Sequence, residues 1–325
     1  MKGIDKIMKI TIILMIVVLS LTSCSYNNQI SSDNIPSEYT KFDSKITNKE
    51  NIKYLDVSET GNNVSYSILN QDGIVETETT YFLKENSFQK FINIANYINM
   101  DMEYTILTFV NFKQVRFEIE GKSYDSFTAF IAQNTDLQIP IKLNNLNKGL
   151  NDILFLIVLN PNKNLTNPSD NEAFEDILYL RRNVIWGNTY DKIEYEYKDV
   201  TLTEGAERPV MLHEKAKDNL IELAPCSLDI KQSKEAFITV ANRSNIEEDY
   251  AVILLADWRQ VPILNQETIY IKLPSKFSGH IPINTSFDAV GLHKLVAIIV
   301  KSPYHYENFR SIDVESSQWV NIDVK

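Results

Sequence analysis

The chain repeats itself. Phe91-Ile92-Asn93-Ile94-Ala95-Asn96 returns 146 residues later as Phe237-Ile238-Thr239-Val240-Ala241-Asn242, and the register then holds without a gap. Asn99 pairs with Asn245, Tyr104 with Tyr250, Phe112 with Trp258, Lys113 with Arg259, Gln114 with Gln260, Val115 with Val261 and Tyr124 with Tyr270. Past a small deletion the offset becomes 142: Pro140-Ile141 matches Pro282-Ile283, Gly149-Leu150 matches Gly291-Leu292, and Leu156-Ile157-Val158 with Pro161 matches Ile298-Ile299-Val300 with Pro303. So many matches in one collinear order mark two copies of one unit. A period of about 140 residues is far longer than a solenoid repeat, so the copies are tandem domains. The division falls near 50–190 and 191–325, with the stretch 162–222 aligning poorly at the join.

Each copy is patterned as strands. In Tyr104–Phe112 and Tyr250–Trp258 the even positions stay largely apolar, while polar residues enter at Asn111, Lys113, Asp257 and Arg259. That alternation predicts a strand buried at one end and emerging on one face. Phe91–Asn96, Leu137–Leu143 and Ile153–Asn160, with their partners Phe237–Asn242, His280–Asn284 and Leu295–Lys301, are short runs rich in Ile, Val, Phe and Tyr. Turn residues such as Asn160-Pro161 and Ser302-Pro303 separate them. The expected fold class is all-β: two tandem antiparallel β-sandwiches. In spacing alone the copies resemble immunoglobulin or fibronectin type III modules, without the Cys…Trp…Cys signature of true immunoglobulin domains. Residues 170–180 are expected to hold a short helix.

The N-terminus carries an address. Lys2, Lys6 and Lys9 precede the apolar run Ile10–Leu21, which is too short to cross a bilayer as a helix of about 20 residues. It ends in Leu21-Thr22-Ser23-Cys24, which resembles the lipobox of bacterial lipoproteins. The resemblance implies a signal peptide over 1–23, cleavage before Cys24, and a diacylglyceryl group on that thiol. Palmitate-type chains would then hold the mature chain on the extracytoplasmic face of the cell membrane, since two chains anchor stably where one does not. Residues 24–49, rich in Ser, Asn, Lys and Asp, read as a flexible tether. Cys226 is left without an intrachain partner and reads as a small buried hydrophobe. Lysine outnumbers arginine and Asn and Ile abound, a bias of AT-rich genomes that points to a Gram-positive source.

A net charge of −11 disfavours nucleic acid as a partner. The chain contains no Gly-x-Ser-x-Gly, His-Glu-x-x-His, Walker A or Gly-x-Gly-x-x-Gly, so no strained nucleophile turn, zinc pair or phosphate cradle is expected. The reading assigns no catalytic residue, no metal and no cofactor, although a carboxylate pair of glycosidase type is open on sequence alone. Glu247-Glu248-Asp249, echoed by Asp101 and Glu103, is expected to be a solvated acidic loop, with calcium at a sandwich edge as the alternative. Asp170, Glu172, Glu175 and Asp176 form a second acidic patch of the same kind. Trp258 is expected in the core. Tyr190, Tyr195 and Tyr197 are expected to be exposed, as is Tyr304-His305-Tyr306, and that last group, following a strand end, is the candidate ligand-binding loop. The function expected is a membrane-anchored envelope module that binds or spaces, its partner an envelope protein or glycan. The second reading is a wall-associated glycan-binding or glycan-processing protein.

Overall fold

A computed structural model of the chain describes residues 28–29, 47–50, 63–162, 177–187, 189–190, 193–205, 208–213, 227–228, 236–283, 290–306, 309 and 313–324. Every element among the described residues is a β-strand. The principal ones are β1 (Phe88–Asn96), β2 (Met102–Val110), β3 (Phe127–Ile131), β4 (Thr135–Leu143), β5 (Gly149–Leu159) and β6 (Ile177–Trp186) in the first half. In the second half they are β7 (Ala236–Ala241), β8 (Glu248–Ala256), β9 (Ile269–Leu273), β10 (Phe277–Ile283), β11 (Gly291–Lys301), β12 (Val314–Ser316) and β13 (Val320–Val324).

Each half is an immunoglobulin-like sandwich of two sheets, the all-β tandem architecture that the strand pattern predicts. In the first, β3, β2, β5 and β6 pair antiparallel in that order, and Thr80–Leu83 adds in parallel to β6. Its outer sheet runs Val64–Leu69, β1, β4, Phe117–Ile119 and Lys122–Tyr124, with Thr47–Glu50 also on β4. In the second, β9, β8 and β11 pair antiparallel, β11 carries β12 and β13, and Ser227–Leu228 adds in parallel to β13. Its outer sheet runs Thr201–Glu204, β10, β7 and Val210–His213.

The repeat is visible in detail. Asn96 and Asn242, both buried, perform one task in the two copies. The Asn96 amide donates to the carbonyls of Met100 (2.9 Å) and Ile131 (3.0 Å), and the Asn242 amide to those of Ile246 (2.7 Å) and Leu273 (2.9 Å). Each satisfies backbone groups of a loop and a strand end that would otherwise be buried unpaired.

The central strands depart from the sequence expectation. Tyr104 and Ile106 of β2 face the first sandwich's own core with Ile153, Phe155 and Ile157 of β5. The alternate residues Leu107, Phe109, Leu154, Leu156 and Val158 do not emerge into solvent. They pack against Ile253 and Leu255 of β8 and Val296, Ile298 and Val300 of β11. A strand covered on both faces gains nothing from polar alternation, which is why β5 reads Ile153–Leu159 as an unbroken apolar run. Full burial of each such side chain contributes about 1.5–3 kcal/mol. The expected helix is also corrected. Ile177–Leu180 begins β6, its side chains shared between the two apolar layers, while 170–176 lie outside the described residues.

Candidate functional site

The two sandwiches meet through equivalent faces, and the recurrent glutamines sit where the copies exchange contacts. The Gln114 N–H donates to Gln260 Oε1 at 2.6 Å, and the Gln260 N–H donates to Gln114 Oε1 at 2.6 Å. The Gln114 side-chain amide donates to the Trp258 carbonyl (3.2 Å) and that of Gln260 to the Phe112 carbonyl (3.0 Å). Such reciprocity is the mark of a two-fold contact, here approximate and within one chain. It arises because each copy turns after its central strand with two residues of positive φ, Asn111 (54°) and Phe112 (64°), Asp257 (48°) and Trp258 (64°). Asn and Asp tolerate that conformation. An aromatic residue does so only at a cost of about 1–3 kcal/mol, which burial of the ring offsets. The turns are pinned alike: Asp152 N donates to Asn111 Oδ1, and Lys294 N to Asp257 Oδ1, both at 2.9 Å.

One flank of this joint is closed by a buried ion pair. Arg181 of β6 is 1% exposed; its Nη2 lies 2.6 Å from Asp152 Oδ2 and its Nε 3.0 Å from Oδ1. The same guanidinium crosses to the other sandwich, donating to the carbonyls of Lys301 (2.9 Å) and Ser302 (3.1 Å). A planar fork with five donors can serve a carboxylate and two carbonyls at once, which an ammonium cannot. Beside it Phe112 meets Tyr304 edge-on at 5.0 Å, Tyr195 stacks on Tyr270 at 4.4 Å, and the Tyr270 and Tyr304 hydroxyls lie 3.2 Å apart. Burial pushes the hydroxyls of Tyr195, Tyr270 and Tyr304 above the ordinary tyrosine value, so they act as neutral hydrogen-bonding groups. The other flank is closed by Trp258 against Trp319, 5.3 Å apart and nearly perpendicular, with Trp258 Nε1 donating to the Pro161 carbonyl at 3.2 Å.

Two open grooves adjoin the joint. One, of about 720 Å³, lies between the sandwiches and is lined by Asn144, Asn145, Ile193, Tyr270 and Tyr304 among others; its Glu267 is paired with Lys113 at 2.9 Å. The other, of about 610 Å³, gathers Glu247, Glu248, Asp249, Lys272, His305 and Phe309. Glu247 pairs with Lys272 and Glu248 with Lys301, both at 2.9 Å, while Asp249 Oδ2 accepts from Tyr197 at 2.8 Å and lies 3.8 Å from His305 Nε2, its buried Oδ1 having no partner among the described residues.

The expected ligand loop is therefore split three ways. Tyr304 is part of the aromatic joint and not an exposed side chain, His305 faces the acidic groove, and Tyr306 packs on Leu150 and Ile185. Tyr195 is half-buried and Tyr197 is 40% exposed. Trp258 stands on a turn and packs between the sandwiches, not inside one. Glu248 and Asp249 are the first residues of β8 and do not form a loop. Among the described residues no three His, Cys, Asp or Glu side chains gather as a metal site. Cys24, Cys226 and the acidic patch at 170–176 lie outside the described residues. Arg181 and Asp152 belong to no motif in the sequence. Their signal is a charge of each sign set into two otherwise apolar runs, at Asp152-Ile153-Leu154 and Leu180-Arg181-Arg182.

No protein-family profile and no curated protein matches the chain. Among solved structures, 81% of the chain aligns with 100% of the C-terminal domain of the AgI/II polypeptide BspA of Streptococcus agalactiae, at 7% identity and a TM-score of 0.23. A further 80% alignment is with 99% of a chain of the CsuC–CsuE chaperone–tip adhesion subunit complex of Acinetobacter baumannii pili, at 10% identity and a TM-score of 0.23. Red sea bream transglutaminase aligns over 81% of the chain, at 10% identity and a TM-score of 0.23, but the chain spans only 31% of that enzyme's length. Likenesses of this size bear on neither activity nor partner.

Proposed function

We propose that the protein is a lipid-anchored module of the cell envelope that works on the extracytoplasmic face by binding, with acyl chains on Cys24 as its anchor. The observation that carries the binding reading is the joint. The Arg181 guanidinium, held by Asp152, and the Tyr304 hydroxyl donate to carbonyls of the opposite sandwich, and in the acidic groove Glu247, Glu248 and Asp249 engage Lys272, Lys301 and Tyr197. What such a body offers a partner is surface: strand edges, loops and grooves. The lipobox supports the anchor, since two acyl chains suffice for stable attachment. Growth in labelled palmitate tests it. The natural chain should carry the label and Cys24→Ala should lose it; label retained by Cys24→Ala would overturn the assignment.

A second reading, wall-glycan binding, is favoured by one feature. The inter-sandwich groove presents the exposed amides of Asn144 and Asn145 near two tyrosines, a neutral donor and acceptor set suited to hydroxyl-rich ligands. Titration with N-acetylglucosamine tetramer should then give saturable shifts in Asn145 and Tyr304 resonances. Glycan processing would need a second free carboxylate beside Glu267, which Lys113 already engages.

A further inference from the structure

Two copies of one sandwich in a single chain provide their own control. β9 and β3 are equivalent edge strands, on the same side of the central strand and in the same register: Tyr270 opposite Ala251 and Lys272 opposite Asp249, Thr128 opposite Thr105 and Phe130 opposite Glu103. The structural counterpart of Tyr270 is therefore Thr128 and not Tyr124, which pairs with Phe117 in the outer sheet, so the deletion between the copies falls before β3. At β9 the chain covers the edge itself. The connecting segment runs alongside, with a parallel bridge from Tyr197 to Tyr270, and Lys198 N donates to the Tyr270 carbonyl at 2.7 Å. Tyr195 lies flat on Tyr270, the Tyr197 hydroxyl reaches Asp249, and the Lys272 ammonium sits 5.5 Å from the Tyr197 ring centre.

At β3 the only strand partner among the described residues is β2. By the shared register the backbone of Thr128 points outward as that of Tyr270 does. Phe130, in the place of Lys272, is 63% exposed, and Met100, whose carbonyl shares the Asn96 amide with that of Ile131 at the end of β3, is 58% exposed. Two carboxylates stand beside them, Glu103 opposite Phe130 and the exposed Asp101, whose Oδ1 accepts from Gln133 N. Natural sheets blunt such edges with lysine. The second copy does so with Lys272, and the first carries phenylalanine there.

We propose that the β3 edge is the docking site for an extended segment of a partner polypeptide. The segment would run parallel to β3 as residues 195–198 run along β9, with an aromatic or apolar side chain over Phe130 and basic side chains facing Asp101 and Glu103. The class of partner follows from the chemistry. A row of outward backbone groups is matched by the regular amides of another strand, the mode known as strand addition, and the flanking charge selects lysine or arginine. The proposal deepens the binding reading above and rests on it.

The probe is the peptide Ile-Lys-Tyr-Lys-Tyr-Lys, the β9 cover with its two glutamates made lysine, titrated against the full 15N-labelled chain in maltoside micelles and followed by fluorescence anisotropy and amide shifts. Saturable binding with shifts centred on 127–131 is expected. Phe130→Lys should weaken it by at least about tenfold. That variant installs the residue the second copy already holds at this place, so its melting point should be unchanged. Thr128→Pro, which removes an outward N–H from an edge where proline is tolerated, should reduce binding similarly. No saturation by about 1 mM, equal binding of a scrambled peptide, or full affinity in both variants overturns the proposal. So does a change in the 127–131 amides on deleting residues 25–46, which would place the chain's own segment on the edge. Acylation plays no part in this titration, so its failure and the failure of the Cys24 assignment are separate results.

Discussion

The two flanks of the joint occupy related positions and are sealed by opposite chemistry. Beside the Asn111–Phe112 turn the closing residues are Asp152 and Arg181, an ion pair removed from water; at the place of Asp152 the other copy has Lys294, whose ammonium burial pushes below its ordinary pKa against the pull of Asp257. That second flank is closed by Trp258 and Trp319 instead. The backbone scaffold of a sheet contact thus tolerates either solution. What differs is how each fails. An ion pair fails by leaving an uncompensated charge, an aromatic pair by leaving a cavity.

Arg181→Ala should have the largest effect. It strands Asp152 in the interior and releases the Lys301 and Ser302 carbonyls, at about 3–5 kcal/mol in urea denaturation. The double change Arg181→Met with Asp152→Leu should recover most of that loss; if it does not, the two carbonyl contacts matter more than the charge. Trp319→Ala should cost about 3 kcal/mol, the low end for a buried tryptophan, because its Nε1 has no partner among the described residues and its loss strands nothing. An equal or larger loss than Arg181→Ala would reverse the ranking of the flanks. Gln114→Ala and Gln260→Ala should each cost about 1 kcal/mol. Because the two side chains bond to each other's backbone, their double-mutant cycle should show coupling of about 0.5 kcal/mol or more, and strict additivity would deny the reciprocal contact.

The smallest effect at neutral pH belongs to the tyrosines. The folded chain holds Tyr195, Tyr270 and Tyr304 neutral to a higher pH than the unfolded chain does. Their contribution is therefore complete below the unfolded value of about 10 and is lost as pH climbs beyond it. Thermal melting across pH 9–12 should fall more steeply for the natural chain than for Tyr304→Phe.

Much of the architecture was legible because local and long-range signals agreed. The collinear repeat fixed equivalent strands, and Ile- and Val-rich runs between Asn-Pro and Ser-Pro turns located them. The joint was not legible, since period-two alternation assumes one wet face. Leu107, Phe109, Leu154 and Leu156 look like imperfect alternation until a second sheet is placed over them. Gln114 and Gln260 were conspicuous as a recurrent pair, but only a two-fold arrangement makes each the other's partner. Tyr304, His305 and Tyr306 are adjacent in sequence, which suggests one site. Positive φ at Ser302 (49°) and Tyr304 (59°) twists that loop so that successive side chains leave in different directions.

The reciprocal glutamine contact has a consequence for concentration. Two-fold faces of this kind ordinarily join separate subunits, which part on dilution. Here residues 187–200 join the two faces covalently, so each sees the other at an effective concentration on the order of millimolar, however sparse the protein is. A single molecule at extreme dilution would keep the contact as fully as a concentrated solution does.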